Sequence, residues 1–298
     1  MRRFGFGLLI LSALAFNASA IPFLGPAWNF SVLGASTVTN TGATTLNANL
    51  GVSPGTAVTG SGTITFSGAP PNNRIVTQSE AAAGQGFATT AYNDIAGLAS
   101  NGSFATGILT SQTVTAGAGT NTVIDVGAAA FNIASGGVLT LDFGGASNKN
   151  IIFRMSSTLI ADVGSSVRVV GADSTDNVFW QVGSSATLNG GVSFVGNIIA
   201  HTDVSLLAAV TIGCGSVVAR GVGAGGGVTM INDTISGNCS YGVGGTVTPT
   251  LGSGTPVVVP IPPGGITEAV PEGGSTFLYL GFLLVPIGAM RAFRRRSL

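Results

Sequence analysis

The chain has 298 residues, of which 7% are charged and 47 are glycine, roughly twice the usual share of glycine. The formal net charge is zero, but six of the eleven basic residues lie at the two ends of the chain. When these six (Arg2, Arg3 and the four arginines after position 290) and Glu272 are left out, five basic and ten acidic residues remain, a net charge of −5. This sign argues against a nucleic-acid partner, which needs clustered Lys and Arg. The single histidine, His201, leaves little scope for acid–base or metal chemistry.

The N-terminus has the features of a secretory signal peptide. Two arginines precede an apolar run at residues 4–16, and Ala18-Ser19-Ala20 has the small-x-small form of a signal-peptidase site. The apolar run is too short to span a bilayer, which argues against a first transmembrane helix. We therefore predict that residues 1–20 are removed and that the rest of the chain is exported.

One helix is predicted early in the body. Thr77-Gln78-Ser79-Glu80 has the pattern of a capping box with Thr77 as the N-cap residue. Helical spacing of apolar residues then predicts about 20 helical residues packed along one face, with a stop signal at Asn101-Gly102. Gly84 and Gly86 each cost about 1 kcal/mol of helix propensity, so the helix needs this packing. The predicted buried stripe consists of Ala83, Phe87, Ala91, Ile95 and Leu98.

A repeated unit follows the helix. Four segments start alike, with a small polar residue, three apolar residues and a long polar one, and a second short strand follows each. An irregular period near 20 with several strands per period is typical of a β-solenoid, because stacked coils bury what one coil cannot. The segments are 150–154, 177–181, 197–201 and 216–220, which align His201 with Arg154, Gln181 and Arg220. An outward polar side chain therefore explains His201 without catalysis.

The chain offers little that could act as a metal site or a nucleophile. Cys214 and Cys239 are the only cysteines, and in an exported protein they are expected to form a disulfide. Two cysteines and one histidine do not make a zinc site, so we predict no metal and no cofactor. Residues 51–55 fit G-x-S-x-G, but Pro54 has no N–H group for an oxyanion hole.

The C-terminal part divides into a linker and a final segment. Residues 241–269 are rich in Gly, Pro, Thr and Val, and their prolines are expected to exclude regular strands and helices, which favours an extended stalk. As a helix, the apolar run 277–290 reaches only about 21 Å, short of a hydrocarbon core of about 30 Å. Arginines follow this run, and Val270-Pro271-Glu272 opens the segment 270–298.

This final segment resembles the PEP-CTERM class of bacterial sorting signals. The resemblance implies an exosortase-type sorting enzyme in a Gram-negative bacterium, transient anchoring in the membrane, removal of the tail and attachment to the cell surface or its extracellular matrix. A plain single-pass membrane anchor is the alternative. Either way, we expect the body, residues 21–240, to lie outside the cytoplasm.

Five segments, in order along residues 30–240, carry a second resemblance. They are Thr37-Val38-Thr39-Asn40-Thr41-Gly42, Asn49-Leu50-Gly51-Val52-Ser53-Pro54-Gly55, Thr90-Ala91-Tyr92-Asn93-Asp94, Asn177-Val178-Phe179-Trp180-Gln181 and Gly196-Asn197-Ile198-Ile199-Ala200. The chain resembles the bacterial and fungal ice-binding protein family defined by the DUF3494 domain. This implies an all-β fold, a discontinuous right-handed β-helix (a three-faced solenoid) with one long α-helix packed alongside.

The resemblance also implies how the ends of the body meet and what the body does. The coil before the helix would pack against the last coil, and Cys214 and Cys239 would fasten these terminal coils. The implied function is adsorption to the surface of an ice crystal, which inhibits ice growth and recrystallisation. We expect a monomer.

Some members of that family carry a T-A/G-x-T/N motif on the strands that face ice. On the second strand of each coil, the motif falls on residues 129–132, 184–187, 202–205 and 226–229. The match is partial, because Asp203 is a carboxylate where a small residue is expected, and Ala129 and Gly226 lack the first hydroxyl. The predicted ice-facing residues are Asn132, Ser184, Thr187, Thr202, Ser205 and Thr229.

Two other functions are compatible with a solenoid. A cell-surface adhesin or matrix protein would bind polysaccharide or protein, and long grooves lined by aromatic side chains would favour it. A polysaccharide lyase or hydrolase needs clustered carboxylates, whereas the acidic residues of the body are spread singly. We therefore predict that the protein is not an enzyme.

Overall fold

The computed structural model describes residues 24–104, 107–127, 130–241, 245–248 and 257–260. The predicted signal peptide, Ala129 and the predicted sorting signal with Val270, Pro271 and Glu272 lie outside these residues. No helix within the described residues is long and apolar enough to cross a membrane.

Short strands dominate the described part of the chain. Before the helix lie a 3-10 helix (Gly25–Asn29), β1 (Phe30–Gly34), β2 (Thr37–Thr41), β3 (Thr44–Leu46), β4 (Asn49–Val52), β5 (Ala57–Thr59), a second 3-10 helix (Ser61–Thr63) and β6 (Ile64–Phe66). The helix, α1, spans Gln78–Ala96. It is followed by β7 (Gly102–Phe104), β8 (Ile108–Thr115), β9 (Asn121–Val126), β10 (Phe131–Asp142), β11 (Asn150–Met155), β12 (Leu159–Ala161), β13 (Ser166–Ala172), β14 (Asn177–Val182), β15 (Ala186–Leu188) and β16 (Ser193–Val195). The remaining strands are β17 (Asn197–Ala200), β18 (Val204–Leu206), β19 (Thr211–Gly213), β20 (Val217–Ala219), β21 (Gly227–Ile231), β22 (Thr234–Ile235), β23 (Gly245–Thr248) and β24 (Val257–Pro260).

The strands β1 to β22 stack as eight coils, and neighbouring coils pair in parallel. Numbered from one end of the stack, coil 1 holds β4–β6, coil 2 β1–β3, coil 3 β20–β22, coil 4 β17–β19, coil 5 β14–β16, coil 6 β11–β13, coil 7 β9–β10 and coil 8 β7–β8. The first strand of each coil lies on face a, the second on face b and the third on face c. In coils 7 and 8, β10 and β8 each supply both face b and face c. The predicted β-solenoid is confirmed.

The order of the coils differs from the order of the chain. Coil 2, the first in the sequence, pairs through β1 and β2 with β20 and β21 of coil 3, the last in the sequence, as the family resemblance implies. The chain must therefore travel from one end of the stack to the other before it builds coils 8 to 3. The 19 residues of α1 cover most of this distance, since about 1.5 Å per residue gives about 28 Å, or about six of the coil spacings of 4.8 Å.

The helix begins at the predicted capping box. The Thr77 hydroxyl accepts the Glu80 N–H, and the Glu80 carboxylate accepts the Thr77 N–H at 3.0 Å. Hydrogen bonds from Arg74 and Thr77 lower the pKa of Glu80 to about 2. At the other end of the helix, the Arg154 guanidinium donates to carbonyl groups of the last turn and just beyond, including that of Ala96 at 3.1 Å. Both ends therefore have side-chain partners for backbone groups that the helix leaves unpaired.

The buried stripe of α1 differs from the prediction. Its buried residues are Ala81, Gly84, Ala88, Ala91 and Ile95. The prediction is right for Ala91 and Ile95, and Leu98 is partly buried, but Ala83 and Phe87 are exposed. The reason is Gly84, where a Cβ atom would lie 2.8 Å from Cε2 of Phe30 in β1. The glycine that lowers helix propensity is therefore the residue that lets the helix approach face a.

The core is continuous through the coils, and the register between coils 5 and 4 differs by two residues from the predicted one. The Trp180 and Phe153 rings stack with centroids 4.2 Å apart, and the Trp180 indole N–H donates to the carbonyl of Val195 at 2.9 Å. Phe179 pairs with Asn197 and Gln181 with Ile199, so the predicted alignment of Gln181 with His201 is wrong by two residues. The turn at Gly196, with φ 101°, lies so close to Trp180 that a Cβ there would be 2.9 Å from the indole nitrogen.

The predicted disulfide between Cys214 and Cys239 is confirmed. It joins the turn after β19 in coil 4 to the segment after β22 in coil 3. It therefore links the last coil to the one before it, whereas strand pairing holds coil 2 to coil 3.

The segment beyond the disulfide continues into the fold. Tyr241 is buried next to Phe143, and β23 pairs antiparallel with β13, which extends beyond its neighbour β16. The expectation that prolines exclude strands from residues 241–269 is therefore wrong for β23 and β24. A free strand edge offers backbone hydrogen bonds that a local composition argument does not consider.

Candidate functional site

Face b presents a column of hydroxyl groups along the centres of its strands. Neighbouring strands pair these residues in register through coils 1 to 5. The column consists of Thr59, Thr39, Thr229, Ser205 and Thr187, in order from coil 1. In coil 3, the flanking Val228 and Met230 are buried in the core, so Thr229 points outward because side chains alternate along a strand. Successive hydroxyls therefore recur about every 4.8 Å.

Within the described residues, none of these five hydroxyls hydrogen-bonds to another protein group. An O–H···O bond requires a separation of about 2.5–3.0 Å, so hydroxyls about 4.8 Å apart cannot bond to each other. Water must satisfy them, and a rigid row of hydroxyls holds water at the same repeat. Threonine adds to this rigidity because its β-branch restricts χ1.

The structure brings three of the six predicted residues together in coils 3 to 5 of this column. Thr187, Ser205 and Thr229 are partners on adjacent strands. Asn132 lies in the same column, but Ile160 of β12 separates it from Thr187. The Asn132 amide donates to Asp162 at 3.0 Å, and its Oδ1 atom is buried without a partner among the described residues.

Ser184 and Thr202 lie at the rim of face b, in the turns that lead from face a. The Thr202 N–H donates to the Ser184 carbonyl at 3.1 Å. The Thr202 hydroxyl and the Ser185 hydroxyl share a hydrogen bond of 2.7 Å. Thr202 therefore has a protein partner that the central hydroxyls of the column lack.

Two carboxylates on face b are held by neutral donors. Asp203, the residue that departs from the family motif, accepts the Gly227 N–H at 2.8 Å. Asp162 accepts the side-chain amides of Asn132 and Asn189 at 3.0 and 3.2 Å. These bonds fix both side chains within the face.

Sequence reasoning missed the two N-terminal members of the column, Thr39 and Thr59. A signal for Thr39 was present, because Thr37-Val38-Thr39-Asn40-Thr41 alternates with a period of two, and the implied packing of the first coil on the last puts β2 beside β21. The short strand that carries Thr59 has no comparable pattern.

A buried acid lies at the corner between faces b and c. The Asp233 carboxylate is 1% exposed and accepts the N–H groups of Ile231 and Val210 at 2.7 and 2.8 Å. Burial raises the pKa of Asp233 to about 7, and the two N–H groups oppose this rise. The side chain links coil 3 to coil 4.

A cavity of about 610 Å³ lies between α1 and the edge of face a, and several of the polar groups around it are engaged by the protein. The Gln181 amide donates to the Tyr92 carbonyl at 2.7 Å, and Arg154 pairs with Asp125 at 2.7 Å. The Arg220 guanidinium lies 4.1 Å from the centroid of the Tyr92 ring. Nothing in this cavity favours the adhesin alternative, and no group of three or more His, Cys, Asp or Glu among the described residues could hold a metal ion.

Comparison with known proteins identifies the family. A family model described as Ice-binding-like matches residues 32–236. The chain is 38% identical over 239 residues to an ice-binding protein of Nostoc sp. (strain HG1), which covers 78% of this chain and 82% of the relative. It is 30% identical over 210 residues to ice-binding protein K3-B1 of Typhula ishikariensis, which covers 66% of this chain and 84% of the relative.

Solved structures agree with this assignment. An ice-binding protein from an Antarctic biological consortium superposes with a TM-score of 0.62 at 31% identity, over 72% of this chain and 89% of that chain. The ice-binding protein of Antarctomyces psychrotrophicus superposes with a TM-score of 0.60 at 28% identity, over 73% and 98%. The relatives are ice-binding proteins, a non-enzymatic family, so the expectation that this protein is not an enzyme is confirmed. The chain belongs to the Ice-binding-like family.

Proposed function

We propose that the protein adsorbs to ice through face b and thereby inhibits ice growth and recrystallisation. The observation that carries this proposal is the column of five hydroxyls, in register on adjacent strands and without protein partners. Membership of a family whose named relatives are ice-binding proteins supports it.

The physical argument concerns rigidity and repeat. Ice is a periodic, uncharged solid, so a binder needs groups that recur at fixed spacing and are already ordered before contact. Parallel strand stacking fixes the spacing of the hydroxyls at about 4.8 Å, and core packing fixes their direction. The water held along the column can therefore join the ice lattice with little further loss of entropy.

The contact residues in this proposal extend the predicted set. Thr187, Ser205 and Thr229 form the centre together with Thr39 and Thr59. The other predicted residues, Asn132, Ser184 and Thr202, lie at the margins.

Export and surface sorting complete the proposal. In this proposal, residues 1–20 direct export and residues 21–240 form the ice-binding domain. Residues 241–269 are the linker, and residues 270–298 serve as the sorting signal. An exosortase-type enzyme would recognise Val270, Pro271 and Glu272 and place the monomer at the surface of a Gram-negative cell. Ice-binding proteins are typically secreted, and the disulfide fits an oxidising compartment.

The deciding experiment replaces two column residues with bulky rings. The double variant Thr187→Tyr, Thr229→Tyr should raise the concentration needed to inhibit ice recrystallisation by about tenfold or more, because two rings lift the face from the ice surface; tenfold corresponds to about 1.4 kcal/mol. The control is Thr90→Tyr on the exposed side of α1, which should leave activity unchanged. Wild-type inactivity at high micromolar concentration, with the protein folded, would refute the function. Full activity of the double variant would show that the protein does not contact ice through face b.

A further inference from the structure

A cleft of about 320 Å³ opens at the coil 1 end of the stack, beside the N-terminal half of α1, and the proposed function does not use it. Its lining comes from the 3-10 helix before β1, from β1 and β4, from residues 71–76 and from the first two turns of α1. Half of the lining residues are apolar: Pro26, Phe30, Pro71, Val76 and Ala83. The other half carry planar polar groups: Asn29, Asn49, Asn72, Arg74 and Glu80.

The backbone around the cleft is fixed by contacts within the protein. The Leu50 N–H donates to the Arg74 carbonyl at 3.0 Å, and the Val76 N–H donates to the Leu50 carbonyl at 2.9 Å. Residues 74–76 therefore lie along the edge of β4, so this edge is not open to an added peptide strand. On the other side, Gly84 lets α1 approach Phe30. Walls that are already ordered lower the entropy cost of binding a ligand.

Three asparagine side chains are joined in a row along the cleft. The Asn49 amide donates to Asn72 Oδ1 at 3.2 Å, and the Asn72 amide donates to Asn29 Oδ1 at 3.5 Å. Asn49 is only 6% exposed, and its own Oδ1 accepts the Arg74 N–H at 3.3 Å. The row ends at the Asn29 Nδ2 group, which has no acceptor among the described residues. The row therefore presents an oriented donor to a ligand that can accept hydrogen bonds.

The rim of the cleft carries one charge of each sign, and the two are paired. The Arg74 guanidinium lies 2.6 Å from the Glu80 carboxylate. Glu80 also caps the N-terminus of α1, which offsets the positive end of the helix dipole. An anion would find no unpaired cation among the lining residues. The charge distribution therefore favours a neutral ligand.

An exposed aromatic ring extends the apolar side of the cleft. Phe87 is 43% exposed and lies one turn after Ala83 on α1. Its ring covers Gly25, the neighbour of Pro26, since a Cβ atom on Gly25 would lie 3.4 Å from Cδ1 of Phe87. Ala83 and Phe87, which the sequence pattern predicts to be buried, are thus left open beside the cleft. An apolar surface with a polar rim is typical of a binding site.

A sugar ring combines the two chemistries that the cleft offers. The C–H groups of a pyranose form an apolar surface that packs against aromatic and proline rings, and its hydroxyls donate to and accept from amide groups. A lipid chain would leave the buried amides without partners, which costs free energy. The volume of about 320 Å³ is close to the lower limit of ligand cavities, about 300 Å³, so the cleft holds one ring and not a long segment.

We propose that the cleft binds one sugar ring of a neutral polysaccharide. None of its lining residues belongs to the hydroxyl column of face b, so the protein can hold a polysaccharide and ice at the same time. The protein then links ice to a polysaccharide of its surroundings. This proposal does not rest on the proposed function, because the cleft and the column share no residue.

The test measures how strongly neutral polysaccharides (dextran, galactan, mannan and glycol chitin) retard the full chain in native affinity electrophoresis, with polygalacturonate as the acidic comparison. At least one neutral polymer should retard the wild type, and polygalacturonate should not. Ala83→Tyr places a ring over the cleft and should raise Kd by about tenfold or more, which corresponds to about 1.4 kcal/mol. The matched control is Ala82→Tyr on the exposed side of α1, outside the cleft, which should bind as the wild type does. Asn29→Ala should weaken binding about two- to tenfold, because it removes one hydrogen-bonding amide.

The outcomes that overturn this proposal are distinct from those that test ice binding. If no neutral polymer retards the folded wild type, the cleft is not a polysaccharide site, while the proposed function stands. Retardation by polygalacturonate alone would show that the ligand is acidic. Equal binding by Ala83→Tyr and the wild type would show that the polysaccharide binds elsewhere. Asn29→Ala only shortens a side chain, so the comparison with the wild type remains possible if the tyrosine variant does not fold.

Discussion

Face a and face b are built from the same strand alternation, yet one is covered and the other is open. Their inward residues are alike, since both contribute Val, Ile and Leu to the core. Their outward residues differ: on face a they include Leu33, Ile152 and Ile199, which are buried against α1, whereas on face b they are hydroxyls. Burying one large aliphatic side chain contributes about 1.5–3 kcal/mol, so an apolar outward column recruits a covering helix and a hydroxyl column does not.

Placing an aspartate at an outward position of each face tests this difference with the largest expected effect. Ile199 in β17 and Ser205 in β18 both point outward, but Ile199 lies under α1. Ile199→Asp should destabilise the fold by about 4 kcal/mol or more, because it buries an unpaired charge beneath the helix. Ser205→Asp, the matched control in the open column, should change stability by less than about 0.5 kcal/mol. Urea unfolding followed by circular dichroism measures both, and equal effects would refute the distinction between the faces.

The corner between faces b and c offers a pH-dependent test. Burial raises the pKa of Asp233 from an ordinary 3.8 to about 7, so the folded state holds a proton that the unfolded state has released. The free energy of unfolding should therefore fall as pH rises from about 4 to about 7, by at most about 1.4 kcal/mol per pH unit. Asp233→Asn should flatten the slope of Tm against pH in that window. Asp94→Asn on the exposed side of α1 should keep the wild-type slope, and an unchanged slope in Asp233→Asn would show that this carboxyl does not titrate there.

Alanine substitutions at two glycines of α1 compare the stability of its covered side with that of its open side. Gly84→Ala should destabilise by about 1–3 kcal/mol, because its Cβ would meet Phe30 at 2.8 Å and Leu33 at 3.1 Å. Gly86→Ala meets nothing within 4 Å and should stabilise by up to about 1 kcal/mol through helix propensity. Thermal denaturation should give Tm shifts of opposite sign. Shifts of the same sign would mean that propensity or packing alone governs both sites.

Features set by neighbours in the chain could be predicted from the sequence. The capping box at Thr77 and Glu80, the disulfide and the stacked coils all follow from short-range patterns or from the scarcity of cysteine. Thr187, Ser205 and Thr229 were found because the motif of the resembled family was placed on the second strand of each repeat. Thr39 and Thr59 were missed, because their place depends on which distant strand lies beside them.

The sequence by itself determined that this protein is a stack of short strands with one capped helix and outward hydroxyls, since alternation and capping are local properties of the backbone. Only the tertiary structure decided the register between coils, which side of the helix is buried, and which hydroxyls form continuous columns. These depend on volume and contact across the fold: Gly84 admits Phe30, Gly196 leaves room for the Trp180 indole, and the first coil extends the column on face b only by stacking on the last.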